Sequence, residues 1–135
     1  MQIVSPIDVE DALRVELGAA LEGVAACAWP APDDIGPGTL CVTSLGGGAT
    51  EGSPVAHDYD VSVDAWAATP AEAMALAAAA VGVVSTIRHR RASGVGWREG
   101  ACLLPYPNPD PRRPTLPRAT FRATVTARGV PIDID

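Results

Sequence analysis

Between Val55 and Arg91 a strict two-residue alternation runs into a helix cap, and few folds accommodate both. Val55, His57, Tyr59, Val61, Val63, Ala65 and Ala67 share one parity; Ala56, Asp58, Asp60, Ser62, Asp64 and Trp66 share the other. A period of two with three carboxylates on one side describes a strand buried on one face only. The alternation ends at Thr69-Pro70-Ala71-Glu72. There a threonine hydroxyl can cap a helix, proline occupies the first turn, and glutamate follows three residues after the cap. Ala73, Leu76, Ala77, Ala80, Val84 and Ile87 then recur at three- and four-residue steps, giving one apolar stripe to lay across a sheet. His89, Arg90 and Arg91 put positive charge at the negative end of the helix dipole, and Gly94 offers a stop.

A chain of 135 residues supports one domain spanning residues 1–135. With only 4% aromatic residues, its core must come from alanine and branched aliphatics, which let helices approach a sheet closely. Acidic residues interrupt every long apolar run, so no membrane span is expected, and MQIVSPIDVED lacks the layout of a secretory leader. All ten basic residues are arginine, and the formal charge of -6 argues against a protein that coats nucleic acid over its whole surface. Cys27, Cys41 and Cys102 are widely spaced among apolar neighbours, which suggests reduced core thiols rather than a zinc site or a disulfide framework.

Before the long strand, Ser5 and Pro6 open a first helix with Asp8, Glu10 and Asp11 in its first turn. Val9, Leu13, Leu17, Leu21 and Val24 form its apolar face, and Gly23 with Trp29-Pro30-Ala31-Pro32 ends it. Thr39 to Leu45 reads as a short strand, and Gly46-Gly47-Gly48 begins a flexible tip over residues 46–54. No Gly-Lys-Ser/Thr follows those glycines and no helix starts there, so they are not a phosphate cradle. Val95 to Leu104 gives another strand, where Gly96 and Gly100 signal a bulge or a close backbone approach. The prolines of residues 105–117 predict an extended, protruding arm carrying Tyr106, Arg112 and Arg113. A last strand, Arg118 to Arg128, turns Ala119, Phe121, Ala123, Val125 and Ala127 inward. The order αββαββ then predicts an α+β two-layer sandwich, a mostly antiparallel four-stranded sheet with both helices on one face.

No set of residues in this pattern assembles a familiar catalytic site. His57 falls on the inward parity of a strand and His89 at a helix end, and neither is placed as a catalytic base. The serines lack a nucleophile-elbow context. No cofactor or metal is called for. Asp58, Asp60 and Asp64 project from one strand face at intervals of about 7 and 13 Å. They are expected to form a solvated face answered by Arg122 and Arg128 across the sheet, or else to line a passage that repels a polyanion.

The segment DVSVDAWAATPAEAMALAAAA, with its W-x-x-T-P-x-E-A core at Trp66 to Ala73, follows a short strand and a glycine-rich tip and precedes an alternating strand ending in Ala-Arg-Gly. From Leu13 to Gly129 this layout resembles the tail terminator, or tail completion, proteins of long-tailed phages. The resemblance implies a non-enzymatic virion protein, assembled in the host cytoplasm, whose copies form a ring, usually a hexamer, at the head-proximal end of the tail tube. Such a ring stops tube polymerisation and joins the tube protein to head-completion or stopper proteins, while DNA passes through the lumen without specific binding. On that basis Asp58, Asp60 and Asp64 face the lumen, and Gly46, Gly47, Gly48, Glu51, Tyr106, Arg112 and Arg113 meet neighbouring subunits or partners. Two other readings compete: a stopper or neck protein of the same head-to-tail junction, and a small ligand-binding or enzymatic domain using His57 with Asp58 or Asp60.

Overall fold

A computed structural model describes residues 1–134. Its centre is the strand read first from the sequence. Strand β4 (Ala56–Trp66) has a full-length antiparallel neighbour on each side, β3 (Thr39–Ala49) and β7 (Arg118–Arg128). Tyr59, Val61, Val63 and Ala65 of β4 are buried, as are Phe121, Ala123, Val125 and Ala127 of β7, in one core cluster. Each large aliphatic buried there contributes roughly 1.5–3 kcal/mol.

Two helices supply the other side of that core. Helix α1 (Val9–Ala20) contributes Val9, Ala12, Leu13 and Leu17; helix α2 (Pro70–Ser85) contributes Ala73, Ala77, Ala80, Val83 and Val84. The Thr69 hydroxyl accepts from the Glu72 amide at 3.2 Å, and Pro70 sits in the first turn. The small alanine face of α2 lets its C-terminal turn press on β5 (Trp97–Cys102): a side chain at Gly100 would collide with the Val84 carbonyl. The glycine signal in this strand therefore marks a close approach, and a bulge between Trp97 and Glu99 accompanies it.

The four predicted strands are adjacent and antiparallel in the order β3-β4-β7-β5, within a larger, mixed sheet. A short strand β2 (Ala25–Ala28) runs parallel to β3, and β6 (Tyr106–Pro107) pairs with the start of β7. A separate two-stranded ribbon joins β1 (Gln2–Ser5) to β8 (Val130–Asp133). The sheet thus has six strands rather than four. Because Ser5 pairs with Val130, it is unavailable as a cap, and α1 starts three residues later on Asp8, whose carboxylate accepts from the Asp11 amide at 3.2 Å.

Two expected protrusions are folded down. Gly46, Gly47 and Gly48 lie inside β3, opposite Asp60, Tyr59 and Asp58, after a bulge that starts beyond Ser44. Gly47 has φ 145°, and a side chain there would strike the Asp58 carbonyl, so glycine is what lets β3 continue past the bulge. The mobile tip shrinks to the turn between Ala49 and Ala56. The proline-rich arm also pairs, Tyr106 with Thr120 and Pro107 with Ala119, and then folds back over the sheet.

Candidate functional site

With both helices on one side of the sheet, the opposite face of β4 and β7 carries the polar parity. Its register aligns Asp58 with Thr126, Asp60 with Thr124, and Asp64 with Thr120. Each threonine hydroxyl donates to its aspartate, at 2.6, 2.8 and 2.6 Å respectively. Thr50 adds a second donor to Asp58 at 3.0 Å. A β-branched hydroxyl suits a pleated face and holds its donor still, so these are neutral clamps on the three carboxyl groups.

The expected arginine partners are elsewhere. Arg122 stands opposite Ser62 and Arg128 opposite Ala56, two residues out of register with the nearest aspartates, and neither makes an ion pair among the described residues. Threonine therefore satisfies the hydrogen bonds without cancelling the charge. Asp60 is the most exposed of the three and borders a groove of about 500 Å³ lined by Leu45, Leu103, Arg122 and Thr124.

The far end of this face is closed. Trp66 belongs to the polar parity yet is 2% exposed, because the arm covers it. Its indole nitrogen donates to Asp110 at 3.3 Å, and the Arg113 and Arg118 guanidinium carbons lie 5.5 and 5.9 Å from its ring centroid. Burial alone would raise the Asp110 carboxyl. The bond from Arg113 at 2.9 Å, the Arg112 amide, the charge of Arg118 and the Trp66 indole outweigh it and hold it below the usual range. Arg113 also donates to the Pro32 carbonyl at 2.9 Å, fastening the arm to the β2–β3 loop.

These contacts sort the residues expected at interfaces. Gly46, Gly47 and Gly48 all pair with β4 and are all exposed, and Arg113 is half-buried and committed internally. Glu51, Tyr106 and Arg112 are exposed as well. His57 makes no hydrogen bond to Asp58 or Asp60; its Nδ1 is buried without a partner. His89 sits in the exposed turn after α2, where its Nε2 accepts from Arg88 at 3.2 Å. No cluster of three or more metal-ligating side chains occurs among the described residues, and no helix there is long and apolar enough to cross a membrane. Cys41 is buried and Cys27 and Cys102 half-buried, all unpaired, so only Cys41 is a core thiol. Burial, then Cys27 beside it in register, push the Cys41 thiol up.

A buried carboxylate outside this face went unread in the sequence. Glu16 of α1 is 1% exposed and accepts from the Ala92 and Ser93 amides, the Ser93 hydroxyl and, at 2.9 Å, the Trp97 indole. Desolvation opposes its ionised form, but those donors win and its carboxyl lies below the ordinary range. Its spacing was the available signal: Glu16 falls seven residues after Val9 and three after Leu13, on the helix face meant for the core.

The fold and this face define a two-layer α+β domain whose helix-free sheet surface carries threonine-clamped aspartates alongside Arg122 and Arg128. No protein-family model and no curated protein matches the chain. Among solved structures, a chain from the virion of a native gene transfer agent (GTA) particle shares the fold, with a TM-score of 0.51 over 87% of this chain and 84% of that one. Sequence identity between the two is 16%, so the likeness is one of architecture.

Proposed function

We propose that the chain is a structural virion protein of phage type, whose copies close into a ring, a hexamer by family resemblance, at the head-proximal end of a tail tube. The observation that carries this reading is the architectural likeness, over most of both chains, to a component of a gene transfer agent virion. It joins the terminator-like layout of Trp66 to Ala73 and asks for no catalysis. The threonine-clamped face supports the lumen assignment. None of Asp58, Asp60 and Asp64 forms an ion pair among the described residues, and carboxylates that line a passage repel the phosphate backbone of passing DNA. Contacts with tube and head-completion proteins fall to exposed residues of the β3 end, the tip and the arm: Gly46, Gly47, Gly48, Glu51, Tyr106 and Arg112.

The test is a polymerisation assay with the purified tail tube protein from the same genome. Added below stoichiometry, the chain should cap growing tubes at a defined length and be found at one end only. Tubes that grow to the same length with and without it would refute the terminator role.

A further inference from the structure

The charges of this chain are segregated along its sequence, and the fold turns that segregation into a spatial one. Residues 1–87 carry one arginine against twelve acidic residues; residues 88–135 carry nine arginines against four. In the six-stranded sheet the order is β2-β3-β4-β7-β5, so its strands from the acidic stretch lie on one side of the β4–β7 boundary and its strands from the basic stretch on the other; the β1–β8 ribbon mixes the two, and the arm reaches back to Pro32 through Arg113. At the outer edge on the acidic side, β2 is flanked by Glu22 before it and Asp33 and Asp34 after it, all exposed. At the opposite edge, β5 carries exposed Arg98 and, next to it, exposed Glu99, and packs beside the turn bearing Arg88, Arg90 and Arg91, so this edge holds four arginines against one carboxylate. Among the described residues the Arg90 and Arg91 guanidiniums bond only to Thr86 and to main-chain carbonyls, and the buried Arg90 Nε has no partner there. None of these charged groups makes an ion pair among the described residues.

Beyond its charges, the β2 edge offers only Ala25, Ala26, Cys27 and Ala28, with none of the lysine or proline that commonly blunts an open strand. We infer that the acidic β2 edge of one copy docks on the basic β5 edge of the next, so that the chain is its own partner in a head-to-tail contact. The inference rests on the ring reading above and deepens it by naming the surfaces that meet. A contact between two different edges is heterologous; repeated, it closes a ring or runs into a filament, whereas matched edges would stop at a dimer. Opposite charge steers the encounter and sets its polarity, and it lets copies with a net charge of -6 associate. The tip and the sheet face opposite the helices stay free for other partners, whereas the arm, held to Pro32, lies beside the acidic edge.

The experiment is sedimentation velocity on three proteins, with circular dichroism to verify folding. Wild type should assemble, and assembly should weaken as salt rises. Asp33→Arg/Asp34→Arg makes both edges basic, and Arg90→Glu/Arg91→Glu makes both acidic. Each alone should stay monomeric, and an equimolar mixture should assemble at least tenfold more readily than either. If wild type assembles and both variants assemble as well as it does, the edge pairing is wrong while the ring stands. If wild type stays monomeric at every concentration and salt, the ring reading fails and takes the pairing with it. Should a double variant misfold, Asp33→Asn and Arg91→Gln replace it, and each must weaken assembly severalfold; no change overturns the pairing.

Discussion

The Trp97 indole of β5 donates a 2.9 Å hydrogen bond to Glu16 of α1, a buried carboxylate 81 residues earlier in the chain. Through it, with Ser93 and Ala92, the first helix is bound to the turn that launches the far strand of the sheet. Replacing Glu16 by alanine strands those donors in the interior and should cost about 3–4 kcal/mol in urea unfolding. Glu16→Gln keeps the volume but turns an NH2 toward donors, and should cost about 1–3 kcal/mol.

The same carboxyl sets an acid limit. Its folded pKa lies below its unfolded one, so the stability it gives is fully present above the ordinary carboxylate range, about 4.3, and is lost as pH falls through the depressed folded value. Asp110 acts in the same direction. Urea midpoints should therefore drop on acidification from pH 5 toward pH 3, and the slope should flatten in Glu16→Gln. An identical slope in that variant would remove Glu16 from the account.

Asp110 holds the arm. Asp110→Ala removes the partner of Arg113, the Arg112 amide and the Trp66 indole at once, and should cost about 1.5–3 kcal/mol. Trypsin should then cut after Arg112, since Pro114 protects the bond after Arg113, while the rest of the domain stays intact, and Trp66 emission should move to longer wavelength. Resistance equal to wild type would mean that the prolines alone hold the arm.

Two adjacent glycines differ in what they permit. Gly47→Ala forces a side chain against the Asp58 carbonyl at a positive φ, with a loss of about 1–3 kcal/mol. Gly48→Ala meets open space and should change stability by less than about 0.5 kcal/mol. Equal melting temperatures for the two variants would contradict the bulge geometry.

Neutralising the acidic face tests the lumen. In Asp58→Asn/Asp60→Asn/Asp64→Asn each side chain keeps an oxygen for its threonine, so the fold survives while three charges go. Assemblies of this variant should retain duplex DNA at low salt where wild type releases it. Indistinguishable retention would place these residues away from the DNA path.

The long strand, its capped helix and the last strand were legible because each carries a pattern longer than a few residues and a cap or break where it ends. What escaped depends on contacts remote in sequence. The β1 and β8 segments are four residues each and pair only with one another from opposite ends of the described chain. The strand β2 is Ala-Ala-Cys-Ala, which carries no alternation. Glycine is disfavoured in strands, so the pattern of β3 breaks off after Leu45, although its partner β4 continues and holds it. The prolines of residues 105–117 hid an ordered arm whose anchor, Asp110, needs Trp66 and Arg118 beside it. Trp66, a large aromatic on the polar parity, was the overlooked sign that something covers that end. The aspartates were seen but assigned the wrong partners, because alternation gives a face and only register tells threonine from arginine.

Cryo-electron microscopy of the purified protein is the most direct measurement. It should reveal closed rings of identical subunits with the helix-free sheet face turned inward and Asp58, Asp60 and Asp64 around the central opening. Particles that are monomeric at every concentration, or rings that carry those aspartates on the outer rim, would contradict it.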